Sequence, residues 1–301
     1  MVEFFRKLFG QPQTETTPAD GATTAPLSDD QVQSIMQNQN PSYELQQLAA
    51  ASGQSVGKQR EHNEDSLLTV TTTIAGNSGA VPFGLYVVAD GMGGHQFGEV
   101  ASNAAARILS GHVMRAFHSY LFNLPTQPIQ EPLQEIMEAA VADAHRFVQR
   151  EAPGSGTTVT AALVVGEQVT IAHVGDSRAY ALYPDGRLHL ITRDHSLVKR
   201  LEELGHLSPD EAANFPHRNV LIRALGQGDT LEADIFTLPF PRAGYLMLCS
   251  DGLWSVLTEE DISRAVLQAP TLQRACQNLV EAANMAGGPD NISVILVQLI
   301  G

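Results

Sequence analysis

Acidic residues close or open apolar runs four times along this chain. Residues 85–89 lead into Asp90-Gly91, residues 169–175 into Asp176-Ser177, and residues 245–250 into Asp251-Gly252, while Asp290-Asn291 precedes residues 292–297. Runs this apolar predict strands buried on both faces. A carboxylate at the lip of such a strand costs several kcal/mol unless positive charge sits beside it. One such residue is explained by a helix cap or a salt bridge, but four together point to a cation site. An all-oxygen set suits hard divalent ions, Mg²⁺ or Mn²⁺, whereas zinc would want His or Cys.

Two more stretches could take part. Arg60-Glu61-His62-Asn63-Glu64-Asp65 places a guanidinium four residues before a pair of acids, which gives a planar fork for phosphate beside metal ligands. Asp90-Gly91-Met92-Gly93-Gly94 puts a carboxylate ahead of a glycine-rich turn, where the backbone can turn a carbonyl toward a cation. That turn lacks the Lys-Ser/Thr ending of a P-loop, so nucleotide binding is set aside.

These residues need a scaffold, and the elements follow from periodicity. Residues 66–74 are β-branched and strand-like, and a Gly76-Asn77-Ser78-Gly79 turn connects them to the strand ending at Asp90. Helical spacing runs over residues 98–120 and 132–150. Strands follow at 157–165, 169–174 and 179–183, then a Pro184-Asp185-Gly186 turn into 188–192. Residues 196–204 predict a short helix, 231–238 and 245–250 strands, 258–268 and 272–285 helices, and 292–299 the last strand. Capping boxes are expected at Ser208–Glu211 and Thr258–Asp261. This order predicts antiparallel sheets covered by helices rather than a β-α-β repeat.

The chain has 301 residues, 43% of them hydrophobic, and a net charge of −15. That length suits one large domain or two ordinary ones. The acidic field repels polyanions, so nucleic acid is not an expected partner. Cys249 and Cys276 form no metal or redox pair and are expected as reduced thiols of a cytoplasmic protein. No run approaches the roughly 20 apolar residues of a membrane span. Residues 1–10 are weakly amphipathic but lack a secretory core, and residues 11–43 are too poor in aliphatic side chains to fold. We therefore expect a flexible tail over 1–46 and a folded domain over 47–301.

The motifs, taken in order, resemble the metal-dependent protein phosphatase family (type 2C). They are Arg60-x-x-Asn63-Glu64-Asp65, Asp90-Gly91-Met92-Gly93-Gly94, Ser155-Gly156-Thr157-Thr158 and Val174-Gly175-Asp176-Ser177-Arg178. Thr192-Arg193-Asp194-His195-Ser196, Arg223-Ala224-Leu225-Gly226, Ser250-Asp251-Gly252-Leu253-Trp254 and Gly288-Pro289-Asp290-Asn291 complete the set. Each is weak alone, but eight in one order, over about residues 52–299, are specific; the Asp-Gly-Met-Gly-Gly wording is similar to the bacterial branch.

The resemblance implies a four-layer α-β-β-α sandwich, two antiparallel sheets flanked by helices, with a flap over about 196–222. It implies a serine/threonine phosphatase that hydrolyses phosphoproteins with two Mn²⁺ or Mg²⁺ ions, reversing a cognate kinase and acting as a monomer. By that resemblance Asp90 bridges the ions, Gly91 offers its carbonyl, Asp251 and Asp290 hold one ion, and Glu64 holds the other through water. Asp65 orients ion-bound waters, Arg60 grips the phosphoryl oxygens, and Asp176 takes a third, weaker ion.

Two departures bear on this. Ser255 follows Trp254 where many relatives carry an acid, which weakens the case for the third ion. Met92 stands where animal and plant relatives have histidine, so water on the ions, or else His95, must protonate the leaving group. His62, His112, His118, His145, His206 and His217 lack ligand spacing. His195 is expected to order the loop after it, and Trp254 to anchor the core. The competing reading, a catalytically silent domain of this fold acting as a binding module, sits poorly with a full set of acids. A metal-dependent nuclease would want basic surface that this chain lacks.

Overall fold

Alternation along the central strands sets the layers. In the computed structural model, which describes residues 45–301 apart from 77–78, 94–96, 124–127, 209–210, 213–214 and 217–218, Leu85 and Val87 face helices while Tyr86 and Val88 face a second sheet. Val294 and Leu296 likewise face helices on the other side, and Ile295 and Val297 face the first sheet. Side chains that alternate at period two between two apolar surroundings place a strand inside a sandwich.

One sheet runs β1 (Gln47–Ser55), β11 (Ile292–Ile300), β10 (Tyr245–Cys249), β7 (Arg178–Leu182), β8 (Leu188–Leu190). The other runs β2 (Asp65–Gly76), β3 (Gly79–Met92), β5 (Val159–Val165), β6 (Gln168–Val174), β9 (Asp234–Pro239), with β4 (Gly156–Thr157) on β3. Every pairing between these strands is antiparallel. Helices α1 (Phe97–Phe122) and α2 (Leu133–Glu151) cover the second sheet; the first is covered by α5 (Glu259–Leu267) and α6 (Leu272–Met285). Short helices α3 (Leu197–Glu203) and α4 (Asp251–Trp254) lie in connections. The result is the four-layer α-β-β-α sandwich.

Local chemistry fixes the helix ends. The Ser196, Thr258 and Thr271 hydroxyls each accept an N–H three residues on, at the starts of α3, α5 and α6. Ser208 and Glu211 cap reciprocally, as their spacing predicts.

One sequence expectation changes, and two elements lie outside the sequence reading. Gln47–Ser55 is a full edge strand paired with β11 at nine positions. The strand expected from 231 begins only at Asp234, because Leu231 and Ala233 pack on the core outside the ladder. Residues after Ser250 turn into α4. The expected tail, apart from Leu45 and Gln46, lies outside the described residues. Cys249 and Cys276 are buried free thiols, both pushed up to about 12 by desolvation. No described helix is long and apolar enough to cross a membrane.

Candidate active site

Strand register assembles the acids. Asp65 and Asp90 are direct partners across β2 and β3, a placement that sets like charges side by side. The second sheet reaches this point through Ser250, whose hydroxyl donates to Asp65 Oδ2 at 2.7 Å and accepts the Ser293 N–H at 2.9 Å. Ser250 directly follows β10 and Ser293 is the second residue of β11, so one hydroxyl ties together the ends of three strands, β2, β10 and β11, from two sheets. Asp251 opens α4 immediately after it, and Asp290 precedes β11.

Close backbone approach draws the loops in. A β-carbon on Gly252 would fall 2.0 Å from the Asn291 carbonyl oxygen, and one on Gly91 would fall 2.2 Å from that of Gly98. Only glycine lets these backbones meet. Asn291 is the hub: its Oδ1 accepts the Glu64 N–H at 2.7 Å, and its Nδ2 donates to the carbonyls of Val56 and His62. The Glu64 carboxylate rests against Gly98 at the start of α1, and the Glu64 carbonyl accepts from Gly91 N–H and from the Ser102 hydroxyl.

Asp176 comes from the β6–β7 loop. Thr158 Oγ1 accepts the Asp90 N–H at 2.9 Å and shares a hydrogen bond with Ser177 Oγ at 2.7 Å. Trp254 Nε1 donates to the Asp176 carbonyl at 2.9 Å. Trp254 therefore packs on the core edge, as expected, and also holds a site loop.

The electrostatics are those of crowded carboxylates. Desolvation raises Asp65 to about 7 and Asp176 to about 8, with repulsion from Asp251 contributing to both; the Ser250 and Ser293 hydrogen bonds pull Asp65 back. Asp90 is held well above the ordinary range by desolvation, then by Asp65, Asp251, Asp176 and Asp290. Asp65 Oδ1 is buried and accepts no hydrogen bond. Among the described residues no three His, Cys, Asp or Glu side chains stand close enough to hold an ion unaided.

Arg60 is half exposed, and its Nη2 donates to Asp290 Oδ2 at 2.6 Å. Burial lowers its pKa, but that bond and the fields of Glu64 and Asp251 raise it overall. Arg60, Asp176, Asp251 and Asp290 line one side of a cavity of about 600 Å³; Thr192, Ser196, Val198 and Lys199 are also among its lining residues. Asp65, Asp90 and Glu64 are not among them. His95 lies outside the described residues. His195 anchors its loop: its backbone N–H donates to the Gly175 carbonyl at 2.7 Å, and Nδ1 accepts the Gly175 N–H.

Sequence reasoning assigned no role to Ser250, Asn291, Thr158, Arg178 or Asp194. Each lies inside a quoted motif, and Ser250, Asn291 and Arg178 stand within two residues of a flagged acid, which was the available signal.

The protein phosphatase 2C family model matches residues 52–286. The serine/threonine phosphatase stp of Listeria innocua is 37% identical over 244 residues, 80% of this chain and 92% of that protein. The crystal structure of the Mycobacterium tuberculosis serine/threonine phosphatase PstP/Ppp is 34% identical, with TM-score 0.67, over 85% of this chain and all of that one. The catalytic domain of PstP in complex with two manganese ions is 32% identical, with the same TM-score and coverage. With a matched model spanning most of its length and relatives of this similarity, the chain belongs to the protein phosphatase 2C family of serine/threonine phosphatases.

Proposed function

We propose that residues 47–301 form a catalytic domain that hydrolyses phosphoserine and phosphothreonine in cytoplasmic proteins, opposing a serine/threonine kinase, as a monomer, with Mn²⁺ or Mg²⁺ at the acidic lip. The carrying observation is the pairing of Asp65 with Asp90 across two strands, with Asp65 Oδ1 buried and unsatisfied. A buried oxygen without a donor, among carboxylates holding protons above their usual range, fits a hard cation that brings its own bound water as the donor. The donor set is all oxygen, which also fits.

In this reading Asp90, with the Gly91 carbonyl beside it, would be shared between ions, Asp251 and Asp290 would serve as further direct ligands, Glu64 would act through water, and Asp176 would hold an additional, weaker ion. Ions bound there supply Lewis acidity that lowers the pKa of a water and neutralises phosphoryl charge. Asp65, held by Ser250, orients water rather than contacting metal. Arg60 exchanges Asp290 for the phosphoryl oxygens when substrate enters. Met92 donates no proton, so water serves the leaving group.

The test is release of phosphate from a phosphothreonine peptide by purified protein with Mn²⁺ and with EDTA. Hydrolysis that stops in EDTA and returns with Mn²⁺ supports the reading, whereas equal rates in both overturn it.

A further inference from the structure

The Asp176 loop and the root of the segment over 196–222 are fastened at several points, and one side chain joins them to the cavity wall. Arg178 donates from Nε to Asp194 Oδ1 at 2.9 Å and from Nη2 to Asp194 Oδ2 at 2.7 Å. The same guanidinium lies 3.5 Å from the centre of the Trp254 ring, and Nη1 donates to Tyr180 Oη at 3.0 Å. Trp254 in turn donates to the Asp176 carbonyl. Asp194 is two residues before Ser196, the cap of α3. The far end of the segment returns to the same place: Ile222 N–H donates to the His195 carbonyl, Leu197 N–H to the Val220 carbonyl, and Ser196 bridges Leu221. His195 is bound both ways to Gly175.

We infer that Arg178 is a positioning residue that couples the Asp176 loop to both ends of the 196–222 segment. A planar fork that is bidentate on one face and stacked on an aromatic ring cannot be copied by an ammonium. Movement at Asp176 is passed through Trp254 and Arg178 to Asp194, and so to the wall carrying Ser196, Val198 and Lys199. Any ion taken by Asp176 then biases that wall, a consequence that rests on the proposed function; the coupling itself does not.

The test uses the full-length protein. Arg178→Lys keeps the charge and loses both the fork and the stacking. In metal-free protein it should raise amide hydrogen exchange about tenfold, at residues 175–177 and at 197–203 together. Trp254, the single tryptophan of the chain, should shift its emission to the red. Exchange raised at only one of the two places, or at neither, overturns the coupling. If Arg178→Lys does not fold, Arg178→Met with Asp194→Asn removes both charges at once and is judged by the same readouts.

A second arm separates the ion from the coupling. Mn²⁺ should quench Trp254 in a weak phase that is lost in Asp176→Asn and shifted about fivefold to higher concentration in Arg178→Lys, as reciprocal coupling requires. A weak phase that survives Asp176→Asn removes the ion from Asp176 and leaves the exchange result standing. A phase lost in Asp176→Asn but unmoved in Arg178→Lys refutes transmission from Asp176.

Discussion

Asp194 and Asp65 are both aspartates withdrawn from water, and the fold treats them in opposite ways. Asp194, with 8% of its side chain exposed, is met by the Arg178 fork on both oxygens. Asp65 receives the Ser250 hydroxyl on one oxygen and nothing on the other. The first arrangement supplies its own counter-charge, so it is structure. The second leaves the charge uncompensated, and the neighbouring Asp90 and Asp176 share the condition. A buried acid without an internal cation is where an external cation gains most.

The same substitution should therefore have opposite consequences in the two places. Asp90→Asn or Asp251→Asn should cost activity most, about a thousandfold or more in Mn²⁺-dependent hydrolysis of p-nitrophenyl phosphate, about 4 kcal/mol of transition-state stabilisation. Metal-free stability in urea should hold or rise, because a repelled charge is gone. Unchanged turnover in either variant refutes the assigned roles. Asp194→Asn instead strands a partly buried guanidinium, and should lower stability by about 3 kcal/mol. Stability lowered equally in Asp90→Asn and Asp194→Asn would erase the distinction.

Ion binding should show the distinction without mutation. Unfolded aspartates release protons near pH 4, whereas folded Asp65 and Asp176 keep theirs to about 7 and about 8. Over that interval the unfolded chain binds fewer protons. Stability of the metal-free protein should thus fall as pH rises from about 4 to about 8. Mn²⁺ at a hundred times its dissociation constant at pH 8 should add about 2.7 kcal/mol there, and the same concentration should add less at pH 5.5, where protons compete. A thermal shift that is the same at pH 5.5 and pH 8 argues that the ion does not sit among these acids.

The sequence makes one side of this contrast far easier to read than the other. Apolar runs that end in Asp90 and Asp176 mark two acids of the crowded site, because burial on both faces leaves a periodic signature. Nothing local marks Arg178 as the partner of Asp194, sixteen residues away, or Ser250 as the partner of Asp65, 185 residues away. Those contacts depend on which strands lie side by side, and spacing does not encode that. The edge strand β1 was hidden for a related reason. Its Ala-Ala-Ala-Ser-Gly stretch has little strand propensity and is extended because β11 offers it a ladder.

Ser250→Ala should give the smallest effect and separates hydroxyl packing from charge support. The side chain is fully buried, so its loss leaves the Ser293 N–H unmet and Asp65 with less help, about 1–2 kcal/mol in total. The part owed to Asp65 depends on ionisation: a hydrogen bond to the charged form lowers the pKa, and its removal raises it further. Destabilisation of metal-free protein should therefore be smaller at pH 5.5, where Asp65 is protonated, and larger at pH 8.5, where it carries charge. Saturating Mn²⁺ should narrow the difference between the two conditions by supplying the missing positive charge. An identical loss at both values of pH would mean that the hydroxyl supports the backbone of β11 and not the carboxylate, and Asp65 would then stand closer to Asp194 than the contrast allows.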